Sequence, residues 1–344
     1  MRNRHITGAV GASAALAAAA ATFLMAPPAH AALVTYCSGT AENVTVPGDL
    51  VVRSGQSCTL TDVNVKGTVR VAKDANLVAQ GGEFTGRVTV QASGYLDLTG
   101  ASLGENVVSA AGYGVYLDST KVAGNYTGRT VDGAADPGFF FLVGSQQSGN
   151  VTVSTGETLI ENSTVGGNVA STDGAYTDVY NSVLSKNLTV TGNTDGGVVC
   201  ASEVYGDARY DGNGKGLQIG GSGDLATCDG ANFFGKNLTV SNTDGQAVVS
   251  DNIIAGKLSG TGNDPAPVGE GNRARGGVEG QFVDLAAPDA SRAPSTSRML
   301  RSETSDSVAQ TAPAQTERLT EAKSSAKDRR AEATAEAKAA GKAF

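Results

Sequence analysis

The chain has 344 residues, with 34 acidic and 26 basic side chains, 46 glycines, 2 histidines and no tryptophan. Its formal charge of −8 is unevenly placed: residues 32–285 sum to about −12 and the stretch from 286 onward to about +2. So acidic a body speaks against nucleic acid as a partner, and because His5 and His30 both fall in the first 31 residues, histidine-based triads are excluded from residue 32 onward.

The first residues read as an export leader. Arg2, Arg4 and His5 precede an alanine-rich apolar stretch from about Ala9 to Met25, and "AHA" at 29–31 supplies small residues for cleavage before Ala32. No later stretch is apolar enough to span a membrane, so the mature chain is expected to be secreted, extracellular or associated with the cell surface. In that setting the four cysteines, Cys37, Cys58, Cys200 and Cys228, suggest two disulfides. Three pairings exist, and proximity favours Cys37–Cys58 and Cys200–Cys228. A metal site is the rival reading, but there is no CxxC spacing and no histidine in the mature chain; neither metal nor cofactor is expected.

Residues 32–285 carry an internal repeat. "SKNLTVTGNTDGGVV" at 185–199 and "GKNLTVSNTDGQAVV" at 235–249 are nearly the same phrase. Anchored on the Asn of "NLTV", similar starts fall at Asn43, Thr68, Arg87, Asn106, Asn125, Asn150, Asn168, Asn187, Asp207, Asn237 and Lys257, and seven of the ten intervals are 18–20 residues. The residue after each start is apolar, Val44 being the first, and so is the third residue before most of them. Short Val/Thr-rich runs with period-two alternation, separated by glycines and Asp-Gly pairs, are strands and turns. A fixed period near twenty marks a solenoid, whose units bury a core only when stacked. The spacing therefore predicts an all-β solenoid of about eleven coils, a rod of about 50 Å. Asn43, Asn106, Asn125, Asn150, Asn168, Asn187 and Asn237 fit as a stacked side-chain ladder, Asn also tolerating left-handed turns.

These units resemble the coils of right-handed parallel β-helix proteins of the pectate-lyase-like kind. "GTGNDPAPVGEGNRARGGVEGQF" at 260–282 resembles more narrowly the closing segment of exported, Gly-rich bacterial β-helix proteins with no established function. That group carries two cysteines where Ser259 and Phe282 stand here, which implies a cap held without that bond. The likeness covers about 40–285 and implies architecture, not activity.

Three intervals are long. The first holds Cys58, which could tie back to Cys37 as an N-terminal staple. The interval after Asn125 contains "DPGFFFLVG", whose Phe139, Phe140 and Phe141 read as an insertion tucked over the core. The interval after Asp207 holds Cys228, and a bond to Cys200 would pin it. From Ala286 the chain turns polar: 286–316 reads as a disordered linker, and 317–344, rich in Ala, Glu, Lys and Arg, as a solvated tail able to form a helix but lacking a sustained apolar stripe.

The chemistry is sparse. Asn-Thr-Asp-Gly resembles a tetrapeptide of polygalacturonases that carries a catalytic Asp, which would make Asp195 or Asp244 the acid. The adjacent Asp pair, Gly-His-Gly and Arg-Ile-Lys of that family are absent here. Glycosidases need two cooperating carboxyl groups, whereas Asp-Gly by itself makes a tight turn. A lyase site at Arg209 between Asp207 and Asp211, a calcium nonapeptide at "GGSGDL" 220–225, and an ice-binding row through Thr45, Thr89, Thr152, Thr189 and Thr239 are each thinner still. The favoured expectation is an exported, non-enzymatic β-helix scaffold or binding module, with cell-wall polymer, surface glycan or another copy of itself as partner. The alternative is a polysaccharide-active enzyme, polygalacturonase- or lyase-like, with a degenerate site.

Overall fold

The repeat folds as three parallel sheets wound around one core. The computed structural model describes residues 33–131, 138–154, 156–285 and 314–344; the leader expected over 1–31 and nearly all of the linker expected over 286–316 lie outside them. Contacts divide the chain into Met1–Ala32 and Leu33–Phe344, and the described residues all belong to the second unit. Among them, the first sheet has 13 strands, from Val34–Cys37 to Val278–Gly280. The second has 11, from Gly39–Glu42 to Asp244–Val249, and the third 12, from Thr45–Val46 to Arg273–Ala274. Every named pairing is parallel and joins a strand to its counterpart one coil away, as in Val69, Val88 and Val107 or Leu77, Leu96 and Val115. This is a parallel β-solenoid of the right-handed type, with about 13 turns.

The structure differs from the sequence reading in turn count, thirteen rather than eleven, and in the register of the first anchor. The coils that begin at Val34 and Val278 carry too little of the repeat phrase to be counted from sequence. The first anchor also belongs to a different row. Leu50, not Val44, is the partner of Val69, and Val44 is 37% exposed while Leu50 is fully buried. Asn43 instead has φ 52° and belongs to the corner between second and third sheets. That corner needs a left-handed residue in each coil, and Asn, Asp or Gly fills it most often: Asn43, Asp62, Gly81, Gly100, then Ser119, Gly144, Asn162 and Asn181. In the correct register, the first interval is ordinary. Cys58 lies on the regular strand Ser57–Thr61 and bonds Cys37 at the start of the core, Cα–Cα 5.6 Å, while Cys200–Cys228 joins at 5.0 Å.

Alternation sends one face of each strand inward. Leu50, Val69, Val88, Val107, Tyr126 and Val151 line the core from the first sheet, and Val65, Phe84, Leu103 and Val122 from the third. The apolar column that precedes each start is thus interior, and Gln147, its polar exception, is interior too, its amide donating to the Gly124 carbonyl at 2.5 Å. Two polar ladders run along the axis. In one, the side-chain oxygen at a coil's start accepts the backbone N–H of the next: Asn106 from Asn125 (2.7 Å), Asn125 from Asn150 (2.8 Å), Asn150 from Asn168 (2.8 Å), Asn168 from Asn187 (3.2 Å) and Asn187 from Asp207 (2.9 Å). Asn237 continues it by accepting from Lys257 at 2.9 Å, and Asp49 plays the same part for Thr68 at 2.7 Å. The other, buried just past the left-handed corner, links Thr120, Ser145, Ser163, Ser182, Ser202 and Asn232 through hydroxyl and amide oxygens at 2.9–3.2 Å. Unpaired polar groups in such a core would each cost about 1–3 kcal/mol, so the ladders satisfy the corner backbone where no sheet bond can.

Two expectations about the excursions change. Phe139–Val143 is a regular strand of the second sheet, not an insertion: Phe140 points into the core and stacks on Tyr126, centroids 3.7 Å apart, while Phe139 and Phe141 face outward. The tail is not left in solvent. Ala314–Ala340 forms a helix, α1, that lies along the outer face of the second sheet, and Gly341–Ala343 extends it against Thr40.

Candidate functional site

The outer face of the second sheet is largely buried as well. Its strands turn Leu96 and Leu98 inward, which leaves Tyr95, Asp97 and Thr99 outward; the next coil offers Gly114, Tyr116 and Asp118 in the same three rows. α1 covers these rows. Each helical residue rises 1.5 Å and each coil about 4.8 Å, so about three and a half helix positions match one coil. The residues that meet the sheet accordingly recur at alternating steps of three and four: Lys323, Ala326, Arg330, Ala333 and Ala337. Glu336 accepts from Ser57 Oγ (2.5 Å) and Asn76 Nδ2 (3.3 Å), Arg330 donates to Thr99 Oγ1 (2.7 Å), and Lys323 pairs with Glu161. The helix therefore runs back along the axis toward the first coil.

Alanine at the contact positions follows from what lies beneath. Ala333 packs on Val78 and Tyr95, beside Tyr113, Tyr116 and Phe139. The Tyr95, Tyr113 and Phe139 rings meet edge to face at 5.8–6.3 Å, and the Arg329 guanidinium sits 5.2 Å from the Tyr113 ring centre. A larger residue at 333 would hold the helix off this aromatic cluster.

At the centre is Asp97, whose carboxylate is almost wholly buried. Its Oδ2 is 2.7 Å from the Tyr95 hydroxyl, and its Oδ1 has the Arg330 guanidinium at 3.4 Å but no hydrogen-bond donor. The Tyr95 hydroxyl also reaches the Ala326 carbonyl at 2.9 Å, so its one proton faces two acceptors. Burial raises the Asp97 pKa, against the opposing pull of Tyr95 and Arg330. Burial, aided by Asp118 and Asp97, pushes the Tyr116 phenol up to about 12. Beside them opens a cavity of about 340 Å³, lined by Asp97, Tyr116 and Asp118 from the sheet and by Lys323, Ala326, Lys327 and Arg330 from α1.

The residues singled out by sequence are elsewhere. Asn193 is fully buried, its amide donating to Thr177 Oγ1 at 2.9 Å, while Asn242 sits at an outer turn with φ 54° and donates to Asp211 at 2.8 Å. The two Asn-Thr-Asp-Gly copies are thus one residue out of register, since six residues separate Asn187 from Asn193 and five separate Asn237 from Asn242. Asp195 lies alongside Lys215, with which it pairs, and Gly245 continues that row. Asp244 stands in the neighbouring row, opposite Gly214. The fold does not bring the two carboxylates together. Arg209 is bonded to Asp211 at 2.7 Å, and Asp207 takes its place in the Asn ladder by accepting from Asn237. "GGSGDL" opens the excursion that Gln218 holds through two bonds with Ala226, at 2.7 and 2.9 Å. Thr89, Thr152, Thr189 and Thr239 do share an outward row of the first sheet, but Thr45 lies in the third sheet, and Arg70, Val108, Ala170 and Arg209 interrupt the row.

Among the described residues, no group of three or more His, Cys, Asp or Glu could hold a metal ion, and no helix is long and apolar enough to cross a membrane. No known family model matches the chain, nor does any curated protein or solved structure. Fold and site together define a parallel β-solenoid carrying a helical arm on its second sheet.

Proposed function

We propose that the protein is exported and acts outside the cell as a non-catalytic β-solenoid module, a stiff carrier that presents its faces to a partner. The observation that carries this reading is the register of the twin motifs. A catalytic acid used twice would recur in one row at one depth, whereas Asp195 and Asp244 occupy different rows and different surroundings. Turn and ladder chemistry accounts for both. The Cys37–Cys58 and Cys200–Cys228 bonds support an oxidising compartment, as does the leader read from the sequence. The reading is tested by expressing the full sequence in a secreting host, sequencing the N-terminus of the exported protein, and assaying it against polygalacturonate and wall glycans. Recovery outside the cell with Ala32 as first residue, and no new reducing ends, is expected. Turnover that Asp195→Asn or Asp244→Asn abolishes would overturn it.

A further inference from the structure

We propose that the cavity between α1 and the second sheet is a binding site for a neutral polyhydroxylated ligand, one or two sugar rings held between body and arm. This goes beyond the module reading and does not depend on it. The cavity's volume of about 340 Å³ falls in the range of small-molecule sites, about 300–1,000 Å³. Its two walls differ in kind. Asp97 and Asp118 on the sheet accept hydrogen bonds, and Lys323, Lys327 and Arg330 on the helix can only donate them. An anion drawn to the helix wall would meet the two carboxylates, and a cation drawn to the sheet wall would meet the ammonium groups. A hydroxyl donates and accepts at once, so a ring bearing several of them can serve both walls without leaving a charge uncompensated.

Two details place the ligand. Asp97 is one of the lining residues, and its buried Oδ1 lacks a hydrogen-bond donor, with only the Arg330 guanidinium 3.4 Å away. Lys323 and Arg330 already pair with Glu161 and Asp97, whereas Lys327 has no ion-pair partner among the described residues and stands exposed at the cavity's edge. Tyr116, half-buried, is the one aromatic residue of the lining, of the kind on which the C–H face of a pyranose packs, and its hydroxyl can donate. Because the site is built from both elements, occupancy must also tighten α1 against the sheet.

The test is calorimetric titration of the full-length protein with cellobiose, maltose and N,N′-diacetylchitobiose, with digalacturonate, glucosamine and sulfate as charged comparators. The expected result is saturable binding of at least one neutral disaccharide, tighter than any comparator, with slower amide exchange in α1. Affinity is expected to fall about tenfold in Lys327→Ala and in Asp118→Asn, the loss of one charged hydrogen bond, and to be unchanged in Asp195→Asn. Lys327 is exposed and Asp118→Asn preserves shape, so neither change threatens folding; matching circular dichroism melts would verify this. Absence of saturable binding by all three disaccharides, binding indifferent to both substitutions, or tighter binding of a charged comparator would each overturn the proposal.

Discussion

Asp97 shows how one buried carboxyl can set the pH response of this molecule. The oxygens of Asp97, Tyr95 and Ala326 form a chain that is one proton short when Asp97 is ionised. When Asp97 is protonated it can donate to Tyr95, and Tyr95 to Ala326, so all three are satisfied. Arg330, Asp118 and Tyr116 also face it, and of these only Arg330 favours the charged form. Burial outweighs that attraction and raises the pKa, so the folded protein keeps a proton that the unfolded chain has already released. The stability linked to this group is fully present below the ordinary carboxylate range and is lost as pH rises through the raised value. Asp97→Asn mimics the protonated acid. It is expected to stabilise the protein by about 1 kcal/mol at pH 7, one hydrogen bond's worth, with the advantage vanishing near pH 3. Denaturant melts of both forms at the two pH values measure this. A variant less stable at pH 7 would mean that attraction to Arg330 decides the site instead.

α1 is held by small contacts. Among its described residues the fully covered apolar side chains are Ala326, Ala333 and Ala337, whose methyl groups together contribute about 2 kcal/mol. The ion pairs of Lys323 and Arg330 are partly open to water and add modestly. Docking is therefore expected to loosen before any coil does. Ala333→Glu would set a carboxylate against Val78 and Tyr95, at a penalty larger than the docking itself. Hydrogen exchange is expected to show α1 amides losing protection while those of Leu96 and Leu98 keep theirs; joint loss would make the arm integral to the solenoid. This weakness is also why the docked arm is not legible in the sequence. The strip from Lys323 to Ala337 has the right spacing, but alanines and cations give it no hydropathic contrast. The strand signal is clearer and still misleads twice. "NVTV" at 43–46 copies "NLTV", because Asn suits both the left-handed corner and the amide ladder, and there it serves the corner. Phe139–Phe141 looks inserted because the added residues precede the strand rather than contain it. The outer rows Val78, Tyr95 and Tyr116 carry the missed signal: apolar side chains where a solvent-facing row should be polar.

A solenoid's repeat is legible because each coil repeats its neighbour's packing, and its ends are illegible because nothing repeats there. At each end of this one, further chain packs against the terminal coil. Beyond the last coils, Phe282 and Leu285 pack on the core. At the first coil the closing piece comes from the far end of the sequence: Thr40 N–H donates to the Gly341 carbonyl at 2.8 Å, Ala343 N–H donates to the Thr40 carbonyl at 2.9 Å, and Ala343 packs on the core. Gly341–Ala343 thus supplies the neighbour that Gly39–Glu42, the outermost strand of the second sheet, would otherwise lack. An uncovered strand edge recruits other chains, so removing this short segment is expected to let one copy pair with the next. A chain lacking Gly341–Phe344 is expected to fold, since the rest of the core is untouched, but to associate in a concentration-dependent way by light scattering. Thr40→Pro in that shortened chain removes the N–H that faces outward while leaving the pairing with the Ser57–Thr61 strand, and it should suppress that association. A shortened chain that stays monodisperse at every concentration would show that the edge is protected by the coil itself, and that the arm's last residues serve only to anchor the helix.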